Sequence, residues 1–88
     1  CFPKDVRAVM AMGRKMDLPL PMVEAVDQVN EAQKQVLPTK IRHHFGDSLA
    51  GKFIAIWGLA FKPRTDDIRE APSLVLIESL LAAGCKLR

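Results

Sequence analysis

One run of five apolar residues constrains the fold of this chain more than any other feature. The run FIAIW, residues 53–57, combines aromatic and β-branched side chains without a polar break, and a glycine ends it. Such a run is typical of a buried strand in a parallel sheet. Residues 73–83 then have few polar positions, and residues 85–87 begin a second apolar segment after another glycine. Strand, loop, helix and strand together predict a βαβ unit.

The first half of the chain has helical patterns instead. Pro3 suits the first turn of a helix, where the N–H that proline lacks is not needed, and apolar spacing predicts a helix over about residues 3–16. A second apolar stripe begins near Met22 and stays in phase as far as Phe45. We expect a single helix of about 24 residues, or about 36 Å, that Pro38 kinks without ending it.

These patterns divide the chain into two predicted parts. Residues 1–46 form a helical central region with a long kinked helix, and residues 51–88 begin an α/β domain. A chain of 88 residues is too short to cover the apolar stripe of so long a helix. We therefore expect the stripe to meet another domain or a second subunit.

Composition and charge exclude several classes of function. The net charge is only +3 and acidic residues are interleaved with basic ones, so no basic face for nucleic acid is predicted. No stretch approaches the ~20 apolar residues of a membrane span, and no signal-peptide pattern occurs. Cys1 and Cys85 have neither the spacing of a disulfide framework nor that of a metal site. We expect a reduced, cytoplasmic protein that binds no nucleic acid, membrane or metal, with Cys85 as a buried apolar residue.

The segment between the predicted strand and helix, FKPRTDDIRE, is the best candidate for a binding site. Ligands of open α/β sheets bind at the carboxyl ends of strands, where this loop begins. Lys62, Arg64 and Arg69 have the charge to bind phosphate or pyrophosphate oxygens. A charge-rich loop is also an ordinary solvated surface, so both interpretations stay open at this point. The adjacent Asp66 and Asp67 have no histidine partner and are interpreted as surface residues rather than metal ligands.

Three stretches of the sequence resemble a known family. CFPKDVRA at the start, VDQVNEAQ in the second helical stripe and GLAFKPRTDDIREAPS after the strand are similar to the nucleotide-sugar dehydrogenases of the UDP-glucose/GDP-mannose dehydrogenase family. The similarity is greatest to the bacterial UDP-glucose 6-dehydrogenases and extends over essentially the whole chain. It implies the middle of a longer enzyme, from the catalytic cysteine through a helical dimerisation region to the start of a Rossmann-like nucleotide-sugar-binding domain.

The resemblance implies an oxidation of the C6 alcohol of UDP-glucose to the carboxylate of UDP-glucuronate, in two NAD-dependent steps. Cys1 would attack the aldehyde to give a thiohemiacetal, and the second hydride transfer would give a thioester for hydrolysis. The predicted place of Cys1 at a helix start agrees with this role, since a helix dipole lowers the pKa of a thiol. Asp5 matches a family aspartate that positions water and assists proton transfer near the thiol.

Other matches to the family concern binding. Phe2 matches a residue that lines the sugar pocket, and Phe61 and Lys62 match residues that contact the nucleotide sugar. Arg69 matches an arginine that reaches the cofactor across the domain interface. Two subunits of the family pack through the long helix, which implies a homodimer. The main NAD site belongs to an N-terminal domain outside these residues, so the isolated chain is expected to be inactive.

Two alternatives stay open. Relatives that share the loop motif use GDP-mannose or a UDP-N-acetylhexosamine, and among these substrates Phe2 and the EAPS ending favour UDP-glucose. The other alternative is a non-catalytic helical dimerisation module in which Cys1 has no chemical role.

Overall fold

The structure is a computed structural model that describes residues 2–88. Over this range the chain forms four helices and two short strands. In chain order they are α1 (Phe2–Lys15), α2 (Pro21–Lys34), α3 (Val36–Phe45), β1 (Phe53–Ile54), α4 (Pro72–Ala82) and β2 (Lys86–Leu87). The chain divides into two compact units, one that ends at Gln33 and one formed by Lys34–Arg88.

The first unit contains α1, which lies within one residue of its predicted position at each end. Asp17 adopts a left-handed conformation, with a φ of 50°. The Leu18 N–H donates to the Gly13 carbonyl at 2.8 Å, and the Asp17 N–H donates to the Arg14 carbonyl at 3.2 Å. These two hydrogen bonds form a Schellman C-cap, which explains why the helix ends before the proline-rich segment.

Ion pairs connect α1 with α2 in the first unit. The Arg7 guanidinium lies 2.8 Å from the Glu31 carboxylate and 3.4 Å from that of Asp27. The Arg14 guanidinium lies 3.9 Å from the Glu24 carboxylate, nearer the other end of each helix. Because later residues of α1 pair with earlier residues of α2, the two helices run antiparallel.

The prediction of one continuous kinked helix is wrong, because α2 ends at Lys34 and α3 begins at Val36. Pro38 has no N–H to donate to the carbonyl of Lys34, and its ring crowds that carbonyl. Helical hydrogen bonding resumes one residue later, where the N–H and the hydroxyl of Thr39 donate to the Gln35 carbonyl at 3.1 and 2.8 Å. The proline therefore lies in the first turn of a new helix.

The predicted βαβ unit is confirmed in the second unit. β1 and β2 pair in parallel, with Phe53 opposite Lys86 and Ile54 opposite Leu87, and α4 lies between them in the chain. The predicted stop of α4 is confirmed as well, since Gly84 has a φ of 87° that favours glycine.

The core of the second unit lies between α4 and one face of the strands. Its buried residues are Leu49, Leu76, Leu80 and Cys85, so the predicted burial of Cys85 is confirmed. Ile54 and Ile56 pack against this core, whereas Phe53 and Trp57 are exposed. The prediction of a buried strand over residues 53–57 is therefore wrong in part, because β1 covers only Phe53–Ile54 and one face of the run is exposed. Alternate residues of an extended run point to opposite faces, and within the second unit α4 packs against the face that carries Ile54 and Ile56.

Helix α3 packs against α4 within the second unit. The Arg42 guanidinium donates to the Ser79 hydroxyl at 2.7 Å, which ties the two helices together. The predicted domain division of the chain between residues 46 and 51 stays a prediction. No helix of residues 2–88 has both the length and the apolar character needed to cross a membrane.

Candidate functional site

The candidate site is the loop from β1 to α4, residues 55–71, which we call the βα loop. It begins at the carboxyl end of β1 and leads into the first turn of α4. The Ser73 hydroxyl donates to the Leu59 carbonyl at 2.5 Å, and the Phe61 N–H donates to the Asp67 carbonyl at 3.1 Å. These two hydrogen bonds fix the ends of the loop and join its two halves.

Asp67 organises the second half of the βα loop. Its Oδ1 accepts hydrogen bonds from the Arg69 N–H at 2.9 Å and from Nε at 3.0 Å, and its Oδ2 accepts from Nη2 at 2.7 Å. The Asp67 N–H donates to the Thr65 hydroxyl at 3.2 Å. Hydrogen bonds from the Arg69 side chain and backbone lower the pKa of Asp67 to about 2, and the same carboxylate raises the pKa of Arg69.

A tight turn closes the loop. The Ala71 N–H donates to the Ile68 carbonyl at 3.1 Å, so residues 68–71 form a β-turn with Glu70 at its third position. Glu70 has a φ of 58°, a conformation that costs a non-glycine residue about 1–2 kcal/mol. Its carboxylate lies 3.1 Å from the Nζ of Lys34, whose side chain is 8% exposed.

The basic residues of the βα loop, Lys62, Arg64 and Arg69, have exposed side chains. The Lys62 Nζ lies 5.1 Å from the centre of the Phe61 ring, and both side chains are exposed. The Arg69 side chain is 88% exposed, and its bonds to Asp67 use two of its three guanidinium nitrogens, which leaves Nη1 for a ligand. Arg64 is also exposed, with a φ of 62°.

The other predicted site residues are Cys1, Phe2 and Asp5, at the start of the sequence. Cys1 lies outside the described residues, so its role as a nucleophile stays a prediction. Phe2 and Asp5 occupy the first turn of α1 and are exposed, and the Asp5 carboxylate lies 3.7 Å from the Lys4 ammonium. A negative charge in this turn also complements the helix dipole. Phe2 and Asp5 are in the first compact unit, whereas the βα loop is in the second.

Sequence reasoning did not single out Lys34 as part of the loop structure. Its partner Glu70 is 36 residues later in the chain, so no local pattern indicates the ion pair or the burial of the lysine. The one available signal was the proline four residues after Lys34, which marks a helix break but not a contact. Among residues 2–88, no three His, Cys, Asp or Glu side chains are grouped so that they could hold a metal ion.

Known proteins with similar sequences match the part of the chain that contains the βα loop. The profile of the UDP-glucose/GDP-mannose dehydrogenase family, UDP binding domain, matches residues 55–88, which are the βα loop, α4 and β2. The chain is 46% identical over 88 residues to a UDP-glucose 6-dehydrogenase of Pseudomonas aeruginosa. The resemblance to the UDP-glucose/GDP-mannose dehydrogenase family is confirmed.

Two further relatives extend this family resemblance across the helical part of the chain. A UDP-glucose 6-dehydrogenase of Bacillus subtilis is 39% identical over 88 residues, and one of Rhizobium meliloti is 36% identical over 87 residues. These alignments and the one to the Pseudomonas protein cover 99–100% of the chain but only 19–20% of each relative. The chain thus spans about a fifth of the length of these curated relatives.

Proposed function

We propose that this chain is a segment of an NAD-dependent nucleotide-sugar dehydrogenase that oxidises UDP-glucose. The observation that carries the proposal is the βα loop, which lies within the residues matched by the UDP-binding family profile. It presents Lys62 and Arg69 to solvent on a backbone held by Asp67. Cations beside the first turn of a helix favour a ligand with phosphate groups, such as a nucleotide sugar.

Within this loop, we propose that Phe61 and Lys62 contact the nucleotide sugar. The ammonium of Lys62 and the ring of Phe61 are adjacent, so they offer a donor and an apolar face to the same ligand. A sugar joined to a diphosphate has the matching surfaces, with anionic oxygens at one end and C–H groups on the ring.

Arg69 is proposed to reach the cofactor. Asp67 holds Nε and Nη2, so Nη1 is the nitrogen that suits an anionic group of NAD. When bound, NAD accepts the hydride removed from the sugar alcohol and then from the aldehyde-level carbon. The main NAD site is predicted in an N-terminal domain outside residues 1–88.

For the chemistry, we propose Cys1 as the nucleophile and Asp5 as its helper. After the first oxidation, the thiolate adds to the aldehyde carbon and forms a thiohemiacetal. Loss of a hydride from that carbon gives a thioester, and water then releases the carboxylate and restores the thiol. Asp5 lies four residues after Cys1 in the first turn of α1 and is exposed, which suits a group that positions water and moves a proton.

We also propose that the protein forms a homodimer through its helical region. Met22, Val26 and Val29 of α2 are exposed, and so are Leu37 and Phe45 of α3. Large apolar residues that recur along a helix surface are typical of protein interfaces. A monomer in sedimentation equilibrium of the full-length protein would contradict the dimer. The cytoplasmic location stays a prediction.

The proposed function is tested by the activity of the full-length protein on a panel of nucleotide sugars. NADH formation is followed with UDP-glucose, GDP-mannose and a UDP-N-acetylhexosamine, and kcat/KM is expected to be highest with UDP-glucose. The family profile includes GDP-mannose dehydrogenases, so GDP-mannose is the competing substrate to compare. A preference for another sugar would overturn the choice of substrate, and no NADH with any of them would overturn the dehydrogenase assignment.

The same assay tests the role of the βα loop. Lys62→Gln removes the exposed cation beside Phe61, and we expect KM for UDP-glucose to rise about 10- to 100-fold, the usual effect of losing a charged hydrogen bond. Lys40→Gln is the matched control, because Lys40 is an exposed lysine on α3. Equal KM values for the two variants would exclude Lys62 from the binding site.

A further inference from the structure

We propose that Lys34 is a positioning residue for nucleotide-sugar binding. Its ion pair with Glu70 holds the last turn of the βα loop and thereby sets the geometry of Arg69 and Phe61. This inference rests on the proposed function of the βα loop, and it adds to the loop a residue that contacts no ligand.

Burial of the lysine is the first observation that supports this role. The Lys34 side chain is 8% exposed, and a buried ammonium is strongly unfavourable without negative partners. The Glu70 carboxylate faces it at 3.1 Å and is itself 49% exposed. The ion pair therefore favours loop conformations in which the Glu70 carboxylate stays beside Lys34.

Backbone conformation is the second observation. Glu70 occupies the third position of the turn at residues 68–71, with a φ of 58°. Glycine adopts this conformation without strain, so the backbone gives no reason for a glutamate here. The carboxylate that reaches Lys34 supplies the reason, because glycine in its place could not form the ion pair.

The connection from Glu70 to the ligand-facing residues is short. Arg69 and Glu70 are the two central residues of the same turn. The Arg69 N–H donates to Asp67 Oδ1 at 2.9 Å, and the Asp67 carbonyl accepts from the Phe61 N–H at 3.1 Å. A displacement of Glu70 is thus transmitted through Arg69 and Asp67 to the residue next to Lys62.

The test compares substitutions of the ion pair in the full-length protein. Lys34→Met and Glu70→Gln are each expected to raise KM for UDP-glucose on the order of 10-fold, because a displaced binding group loses much of its effect, while kcat falls by less. Lys34→Glu combined with Glu70→Lys restores the pair with reversed charges and is expected to recover most of the loss. Lys40→Met and Glu78→Gln, both at exposed positions outside the loop, are the matched controls.

Glu70→Gly separates positioning from backbone strain. This substitution relieves the strained φ but removes the carboxylate, so we expect KM to rise as it does for Glu70→Gln. A KM at or below the wild-type value for Glu70→Gly would overturn the proposal, because the turn would then need only its backbone shape. Equal KM values for Glu70→Gln and the Glu78→Gln control would overturn it as well.

Hydrogen exchange distinguishes failure of this inference from failure of the proposed function. If the wild type turns over none of the nucleotide sugars, the proposed function is refuted. The positioning role of Lys34 is then tested by hydrogen exchange in the loop, which needs no substrate. The N–H groups of Arg69 and Ala71 are hydrogen-bonded, and their exchange is expected to be about 10-fold faster in Glu70→Gln than in Glu78→Gln. Equal exchange in the two variants would refute the positioning role, whatever the substrate.

Discussion

The carboxylate of Asp67 binds both the backbone and the guanidinium of Arg69, two residues later in the same loop. The backbone N–H lies 2.9 Å from Oδ1, and the guanidinium Nη2 lies 2.7 Å from Oδ2. An exposed arginine is usually mobile, and ordering it when a ligand binds costs free energy. Here the Asp67 carboxylate already holds the Arg69 guanidinium through Nε and Nη2, so the direction of this exposed cation is set within the loop itself.

The pH dependence of this pair is the first prediction. The Arg69 hydrogen bonds lower the pKa of Asp67 from 3.8 to about 2, so the contribution of the pair to loop stability is complete above pH 3.8. It is lost as the pH falls through about 2, because the carboxylate is then protonated. The carboxyl carbon of Asp67, followed by NMR titration, is expected to show its midpoint near this lower value.

An arginine substitution provides the control for that titration. In Arg69→Gln the guanidinium is absent, and the midpoint of Asp67 is expected to move up toward 3.8. A wild-type midpoint at 3.8 or above would show that the ion pair does not form in solution.

Two adjacent leucines of α4 provide a prediction about stability. Leu80 is 1% exposed in the core, whereas Leu81 is 54% exposed. Leu80→Ala is expected to lower the free energy of unfolding by about 2–5 kcal/mol, because it leaves a cavity. Leu81→Ala is expected to change it by about 0.5 kcal/mol or less. Urea unfolding followed by circular dichroism measures both values, and equal losses would contradict the assigned core.

Gly13 of α1 gives a prediction in which two effects oppose each other. Alanine is ordinarily the better helix former by about 0.5–1 kcal/mol. At this position, however, a Cβ would lie 2.7 Å from the Leu18 carbonyl oxygen and 2.9 Å from the Leu20 Cδ1. Gly13→Ala is therefore expected to destabilise the first unit by about 1–3 kcal/mol, as overpacked sites do.

The control for Gly13 is the reverse change at an exposed position of the same helix. Ala11→Gly is expected to cost about 0.5–1 kcal/mol, from helix propensity alone. Thermal unfolding of both variants measures the two effects, and a Gly13→Ala protein more stable than the wild type would refute the close packing against Leu18.

Sequence patterns that extend over only a few residues made much of this fold predictable. The ends of α3 and α4 follow from Gly46 and Gly84, which both have positive φ values. The parallel strands follow from a strand–helix–strand pattern within one short segment. Phe61, Lys62 and Arg69 were recognisable as a group for the same reason, because one loop motif contains all three.

Features that depend on distant contacts were not predictable. The apolar run 53–57 indicates a strand, but its composition does not reveal that Phe53 and Trp57 lie on an exposed face. Likewise, Pro38 indicates a disturbed helix, and only the hydrogen bonds at Gln35 show that the helix ends. The effect of a proline depends on whether tertiary packing restores the lost hydrogen bond, and no local pattern encodes that packing.

The most direct test of the central claim is the NADH yield of the full-length protein with UDP-glucose, for the wild type and for Cys1→Ser. Cys85→Ala is the matched control, because Cys85 is the buried core cysteine. We predict two NADH per UDP-glucose oxidised by the wild type and by Cys85→Ala, and a loss of turnover of about 10³-fold or more in Cys1→Ser. Wild-type turnover by Cys1→Ser would contradict the proposed nucleophile, and no NADH from the wild type would contradict the proposed function.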